Sequence, residues 1–193
     1  MTHTECPTRV VINSRGHFPL TWGMEWQRAG WPMRYTFPMN LGELFEAKNL
    51  IVDFDPLDKW DAIESMIRHL TNNGSLKESQ SELALGAVQR RERSMSTGME
   101  KGVAIPHAAL PDLDEVIAVL GLVRRDGGVP FESLDGSPAQ LIVILLIPKS
   151  KKLLHIRTLA DVARILGIAQ VREDLLAASD SQAAHSRLVE ACA

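Results

Sequence analysis

From Asn40 onward the apolar positions fall into helical stripes and short unbroken runs, and the two patterns take turns along the chain. In "NLGELFEAKNL", Leu41, Leu44 and Phe45 share one face of a short helix, and the "IVDFD" after it alternates as a strand does. The segment "DPLDKWDAIESMIRHLTNNG" spaces Trp60, Ile63, Ile67 and Leu70 helically between an Asp55-Pro56 start and a Gly74 stop. A further helix, around Ser79 to Arg91, turns Leu83, Ala87 and Val88 inward and ends in the charged run "RRER". "GVAIPHA", Gly102 to Ala108, then reads as a short apolar strand that Pro106 stops, leaving His107 at its end. Val116 to Val123 and Leu141 to Ile147 are runs of branched residues suited to strands buried on both faces. Between them "DGGVPFESLDGSP" supplies turns and a small strand edge. Leu159, Val162, Ala163 and Leu166 form the next helical stripe, and a Ser179-x-x-Gln182 capping box announces a final helix. Helices alternating with strands predict an α/β layered domain around a central mixed sheet.

Composition narrows the class. With 193 residues, 45% of them apolar, the chain can bury one good core and is short for two. Residues 1–38 stand apart as an extension, since they hold Trp22, Trp26, Trp31 and Tyr35 without helical or strand periodicity. They read as a loose terminus, or a reading frame extended ahead of Met39, with a partner-binding arm as the alternative. The domain proper is then 39–193. A net charge of -3 offers no broad positive field for a nucleic-acid backbone. The longest apolar run, Leu141 to Ile147, is too short to span a bilayer, and the start of the chain lacks the apolar centre of a signal peptide. A cytoplasmic protein that does not insert into membranes is expected. Cys6 and Cys192 have neither zinc-site nor disulfide spacing.

Two constellations could carry chemistry. Pro106 restricts the backbone on both sides of the 105–106 bond, so the His107 imidazole leaves the strand in a defined direction. Ahead of it, Arg91, Ser96, Thr97 and Gly102 set a guanidinium, two hydroxyls and accessible backbone amides close to that imidazole in sequence. Such a set suits a phosphoryl group, because Arg matches phosphate oxygens bidentately. The competing reading is a helix end with favourable cations, a polar loop and a structural histidine. A metal site on His107 and His155 lacks an assured third ligand. Glu92 is left outside the catalytic set, as a neighbour that orients Arg91 or caps charge. His69 and His185 read as helix-surface residues.

The string Arg91-Glu92-x-x-x-Ser96-Thr97-Gly98-x-x-x-Gly102-Val103-Ala104-Ile105-Pro106-His107 resembles the signature of the type-2 enzyme IIA domains. These are the fructose/mannitol and nitrogen-regulatory class of the bacterial phosphoenolpyruvate-dependent phosphotransferase system. "VPFESLDGSPAQLIVILLIP" and "HIRTLADVARIL" are similar to later segments of the same family, so the resemblance runs from about Met39 to the C-terminus. It implies an α/β/α sandwich in which His107 accepts a phosphoryl group at Nε2 from the phosphocarrier HPr or its nitrogen-branch counterpart. Arg91 and His155 take the places of the family's active-site arginine and supporting histidine, and Ser96 and Thr97 those of its hydroxyl pair. The acceptor implied is an enzyme IIB domain in sugar transport or, in the regulatory branch, a target protein bound according to phosphorylation state. No metal or organic cofactor is implied. Met99-Glu100-Lys101 depart from the small glycine-containing loop common in the family, and Ile156 stands where leucine is usual.

Overall fold

The computed structural model describes residues 41–192; the extension over 1–38 and the boundary at Met39 lie outside the described residues. Within them the chain forms α1 (Leu41–Leu44), a 3-10 turn (Ala47–Asn49), β1 (Leu50–Ile51), α2 (Lys59–Asn72), α3 (Glu78–Ser94) and β2 (Gly98–Met99). It continues through β3 (Val103–Ala104), β4 (His107–Leu110), β5 (Ile117–Leu122), β6 (Leu141–Pro148), α4 (Lys152–Leu166), α5 (Ala169–Leu176) and α6 (Ser181–Ala191).

β6 organises the sheet, because all eight of its residues are buried and its neighbours run in both directions. The order is β1-β5-β6-β3-β2, with β4 also paired to β6. β1 lies parallel to β5, β5 antiparallel to β6, and both β3 and β4 parallel to β6. Side chains of successive strand residues point to opposite faces, and the core divides accordingly. Leu141, Val143, Leu145 and Ile147 join Val162, Leu166, Val171, Leu175 and Leu188 from α4, α5 and α6. Ile142, Ile144 and Leu146 join Ile63, Met66, Ile67, Leu70, Ala84 and Val88 from α2 and α3. The result is the expected α/β/α sandwich around a mixed sheet.

Several local expectations need correction. The strand breaks at Pro106 as expected, but it resumes at His107 in the same register. Val103 pairs with Leu141 and His107 with Leu145, the same offset, so β3 and β4 are two pieces of one sheet position. Pro106 lacks the N–H on the side facing β6, which leaves a gap of one ladder bond, while its carbonyl still accepts from the Leu145 amide at 3.0 Å. α3 does not end at Arg91 but runs to Ser94, and Leu83 is 44% exposed while Ala84 faces inward. α2 starts at Asp58, whose carboxylate accepts from the Trp60 and Asp61 amides at 2.8 and 2.9 Å, rather than at Asp55-Pro56. Asp180, not Ser179, caps the last helix, its carboxylate accepting from the Ala183 amide. Helices and strands also do not alternate throughout, since α2–α3 and α4–α6 are consecutive and α5 has no counterpart in the predicted elements.

Candidate active site

His107 opens β4 on the sheet face shared by Val103 and Ile105, which pack with α4. Its Nδ1 lies 2.8 Å from the Ile105 carbonyl oxygen. A carbonyl can only accept, so Nδ1 carries the proton, and in the neutral ring Nε2 keeps its lone pair. The pKa of His107 lies below the ordinary imidazole value. Burial is the largest cause; the Ile105 hydrogen bond opposes it, the Arg91 guanidinium and the neighbouring His155 ring add to it, and Glu92 works against it. Near pH 7 the ring is thus neutral, with a nucleophilic nitrogen.

The predicted site residues converge from three elements. Arg91 comes from the last turns of α3, where its Nη1 donates to the Met95 carbonyl at 2.7 Å and so tethers the loop that follows. His155 comes from the first turn of α4, its ring edge-on to His107 with centroids 5.4 Å apart and planes at 77°. Two clefts open beside His107. One, of about 390 Å³, is bordered by Arg91, Ser96, Thr97, Gly98, Met99 and Leu159. The other, of about 270 Å³, is bordered by Arg90, Arg91, Ala108 and His155. His107 and Arg91 line both, so a ligand in either meets an imidazole and a guanidinium.

Ser96 and Thr97 sit on the rim, and both hydroxyls donate to Glu92, the first at 3.0 Å and the second at 2.6 Å. The Thr97 amide donates to the same carboxylate at 2.9 Å. Glu92 is only 2% exposed, and the Lys59 ammonium lies 3.6 Å from it. Lys59 also reaches Glu132 at 2.6 Å, and that hydrogen bond is the chief reason the Glu132 carboxyl is lowered to about 2. Sequence reasoning set Glu92 aside and did not consider Lys59. A signal was present: Ala84, Val88 and Glu92 recur every fourth residue, so Glu92 continues the buried stripe of α3.

The loop beyond is fixed too. Gly98 runs so close to the 131–132 backbone that a Cβ there would meet the Glu132 carbonyl oxygen at 2.8 Å and the Phe131 Cβ at 2.9 Å. In the Met99-Glu100-Lys101 stretch, Lys101 has φ 66° and its amide donates to Asp135 at 2.7 Å. That N–H, followed by the Ser137 amide, brings the Asp135 carboxyl down to about 2. Of the other histidines, His69 meets the Lys48 carbonyl at 2.7 Å and His185 the Gly42 carbonyl at 2.9 Å, both away from the clefts. Among the described residues no group of three or more His, Cys, Asp or Glu side chains is placed to hold a metal ion, and no helix is long and apolar enough to cross a membrane.

Fold and site together define an α/β/α domain that presents a neutral imidazole beside an arginine in an open cleft. The chain belongs to the family described as phosphoenolpyruvate-dependent sugar phosphotransferase system, EIIA 2, whose model matches residues 43–191. It is similar to a nitrogen regulatory protein of Bradyrhizobium diazoefficiens, 37% identical over 99 residues, covering 51% of this chain and 63% of the relative. It is also similar to a PTS system fructose-specific EIIA component of Haloferax volcanii, 30% identical over 135 residues, covering 70% of this chain and 85% of the relative. The crystal structure of nitrogen regulatory protein IIA-Ntr from Neisseria meningitidis superposes with a TM-score of 0.67 at 26% identity, covering 77% of this chain and 98% of that one.

Proposed function

We propose that the chain is a histidine phosphocarrier in which the Nε2 of His107 takes a phosphoryl group from an HPr-type donor and passes it on. The observation that carries this reading is the 2.8 Å contact from Nδ1 to the Ile105 carbonyl, which commits the proton to one nitrogen and leaves the other to attack. The Nε2 lone pair forms the N–P bond as the donor's P–N bond breaks, and the donor nitrogen leaves with that electron pair. His107 keeps its Nδ1 proton throughout, so no general base is required. Arg91 neutralises the equatorial oxygens, and His155 supports the group from the α4 side. Thr97 and Ser96 shape the rim.

The forward acceptor in the sugar-transport reading is an enzyme IIB domain. A second reading makes the protein a nitrogen-type regulator, in which a phosphoryl group of about -2 charge attached to His107 changes which target protein the surface binds. Its support is the similarity to the Bradyrhizobium nitrogen regulatory protein. Incubation of the full chain with enzyme I, phosphoenolpyruvate and an HPr-type donor, followed by intact mass measurement without acid, should show one phosphoryl group. His107→Ala should remove it, and full labelling of that variant would sink the assignment. Transfer onward to IIB domains, measured in the same assay, separates the transport reading from the regulatory one.

A further inference from the structure

We infer that Glu92, with Lys59 as its counter-ion, is a positioning residue for the transfer reaction: it holds the rim loop and, through Thr97 and Ile105, the orientation and tautomer of His107. The inference rests on the phosphocarrier reading above for its kinetic consequence, and on geometry alone for its structural one. Glu92 accepts from the Thr97 amide and hydroxyl on one oxygen and from the Ser96 hydroxyl on the other. The Thr97 carbonyl in turn accepts from the Ile105 amide at 3.1 Å, and the Ile105 carbonyl accepts from His107 Nδ1 at 2.8 Å. A continuous chain of hydrogen bonds and backbone thus connects the buried carboxylate to the imidazole.

The charge on Glu92 is what makes the arrangement specific. An ionised carboxylate accepts at both oxygens, as three donors require here, whereas a glutamine amide offers one acceptor and one donor. Turning its oxygen to Thr97 aims its NH₂ at the Lys59 ammonium, so donor faces donor. Turning it the other way leaves the Thr97 amide and hydroxyl without an acceptor in a buried position. The first orientation keeps Thr97 bonded but loosens the rim at Lys59 and Ser96; the second shifts Thr97, and with it the Ile105 carbonyl that Nδ1 uses. Arg91 precedes Glu92 on the same helix and tethers the same loop at Met95, so the two neighbours hold that loop at different points.

The test uses the full chain in the unphosphorylated and transfer-competent states. Nitrogen-15 NMR of the imidazole should report a single Nδ1–H tautomer for His107 in the wild type and a mixture in Glu92→Gln. Transfer from the HPr-type donor should slow by about ten- to a hundredfold in kcat with KM for the donor nearly unchanged, as expected from misplacement of a reacting group. Lys59→Met keeps the carboxylate but strips its counter-ion, and should give a smaller loss in both readouts. A folded Glu92→Gln protein with the wild-type tautomer and kcat overturns the inference; if that variant does not fold, the same result in Lys59→Met does so. A wild type that accepts no phosphoryl group while Glu92→Gln still shifts the tautomer would sink the phosphocarrier reading and leave the positioning role standing.

Discussion

At His107 two local forces act oppositely on the ring: burial disfavours the imidazolium, while the Ile105 carbonyl favours a proton on Nδ1 in either charge state. Burial prevails, and the pKa falls below the ordinary value of about 6.5. In the unfolded chain the ring therefore protonates first as pH drops. Stability linked to this group is present above about pH 6.5, is lost as pH falls through the folded-state pKa, and then levels off. An NMR titration of His107 should place its midpoint below 6.5, and the acid limb of the transfer rate should follow that midpoint. A midpoint at or above 6.5 would contradict the site as described. Arg91→Ala should cost about a hundredfold or more in transfer, the scale for removing one preorganised donor to a charged transition state. Arg91→Lys should recover only part of it, because an ammonium cannot make the bidentate contact. The sequence singles out His107 and Arg91 by their reactive groups and His155 by the family resemblance, and the structure brings the three together. Glu92 was not legible in this way, because its importance comes from burial against Thr97, and a carboxylate next to an arginine reads by default as its ion-pair partner.

The elements were recoverable where one physical signal dominated and misplaced where two competed. The stripe of α2 and the unbroken apolar run of β6 were unambiguous. The N-terminus of α2 was not, since Asp55-Pro56 and Asp58 both suit a helix start, and only the hydrogen bonds to the Trp60 and Asp61 amides decide for Asp58. Asp58→Ala should accordingly lower stability by about 1 kcal/mol, measured by urea denaturation, while Asp55→Ala leaves the helix cap intact. The strand carrying His107 was cut short because proline is read as a stop. Register with β6 runs through it, because the Pro106 carbonyl keeps its bond to the Leu145 amide although the ring removes the N–H. The loop between α3 and β3 leaves no periodic trace at all. Its shape depends on Gly98, and Gly98→Ala should drive the chain away from the Glu132 carbonyl, slowing transfer while the helical circular dichroism stays at wild-type level.

Among the described residues the two cores lie on opposite faces of the sheet, and the site draws on elements from both. Arg91 belongs to a helix packed on one face, while His155 belongs to a helix packed on the other, and His107 stands on the strand between them. No window of sequence contains that juxtaposition, because residues 91, 107 and 155 come together only once the sandwich has closed. Ile144 and Leu145 are consecutive on β6 and fully buried in opposite cores, and Leu145 pairs with His107. Replacing either with alanine should cost about 2–5 kcal/mol. If the shared sheet makes the layers one cooperative unit, each variant unfolds in a single transition with the wild-type dependence on urea. Loss of phosphoryl acceptance should coincide with that transition for both, even though only Leu145 faces the α4 side of the site. Two separate transitions, or acceptance persisting after the α2–α3 layer has melted in Ile144→Ala, would show that the layers fold independently and that the site needs only one of them.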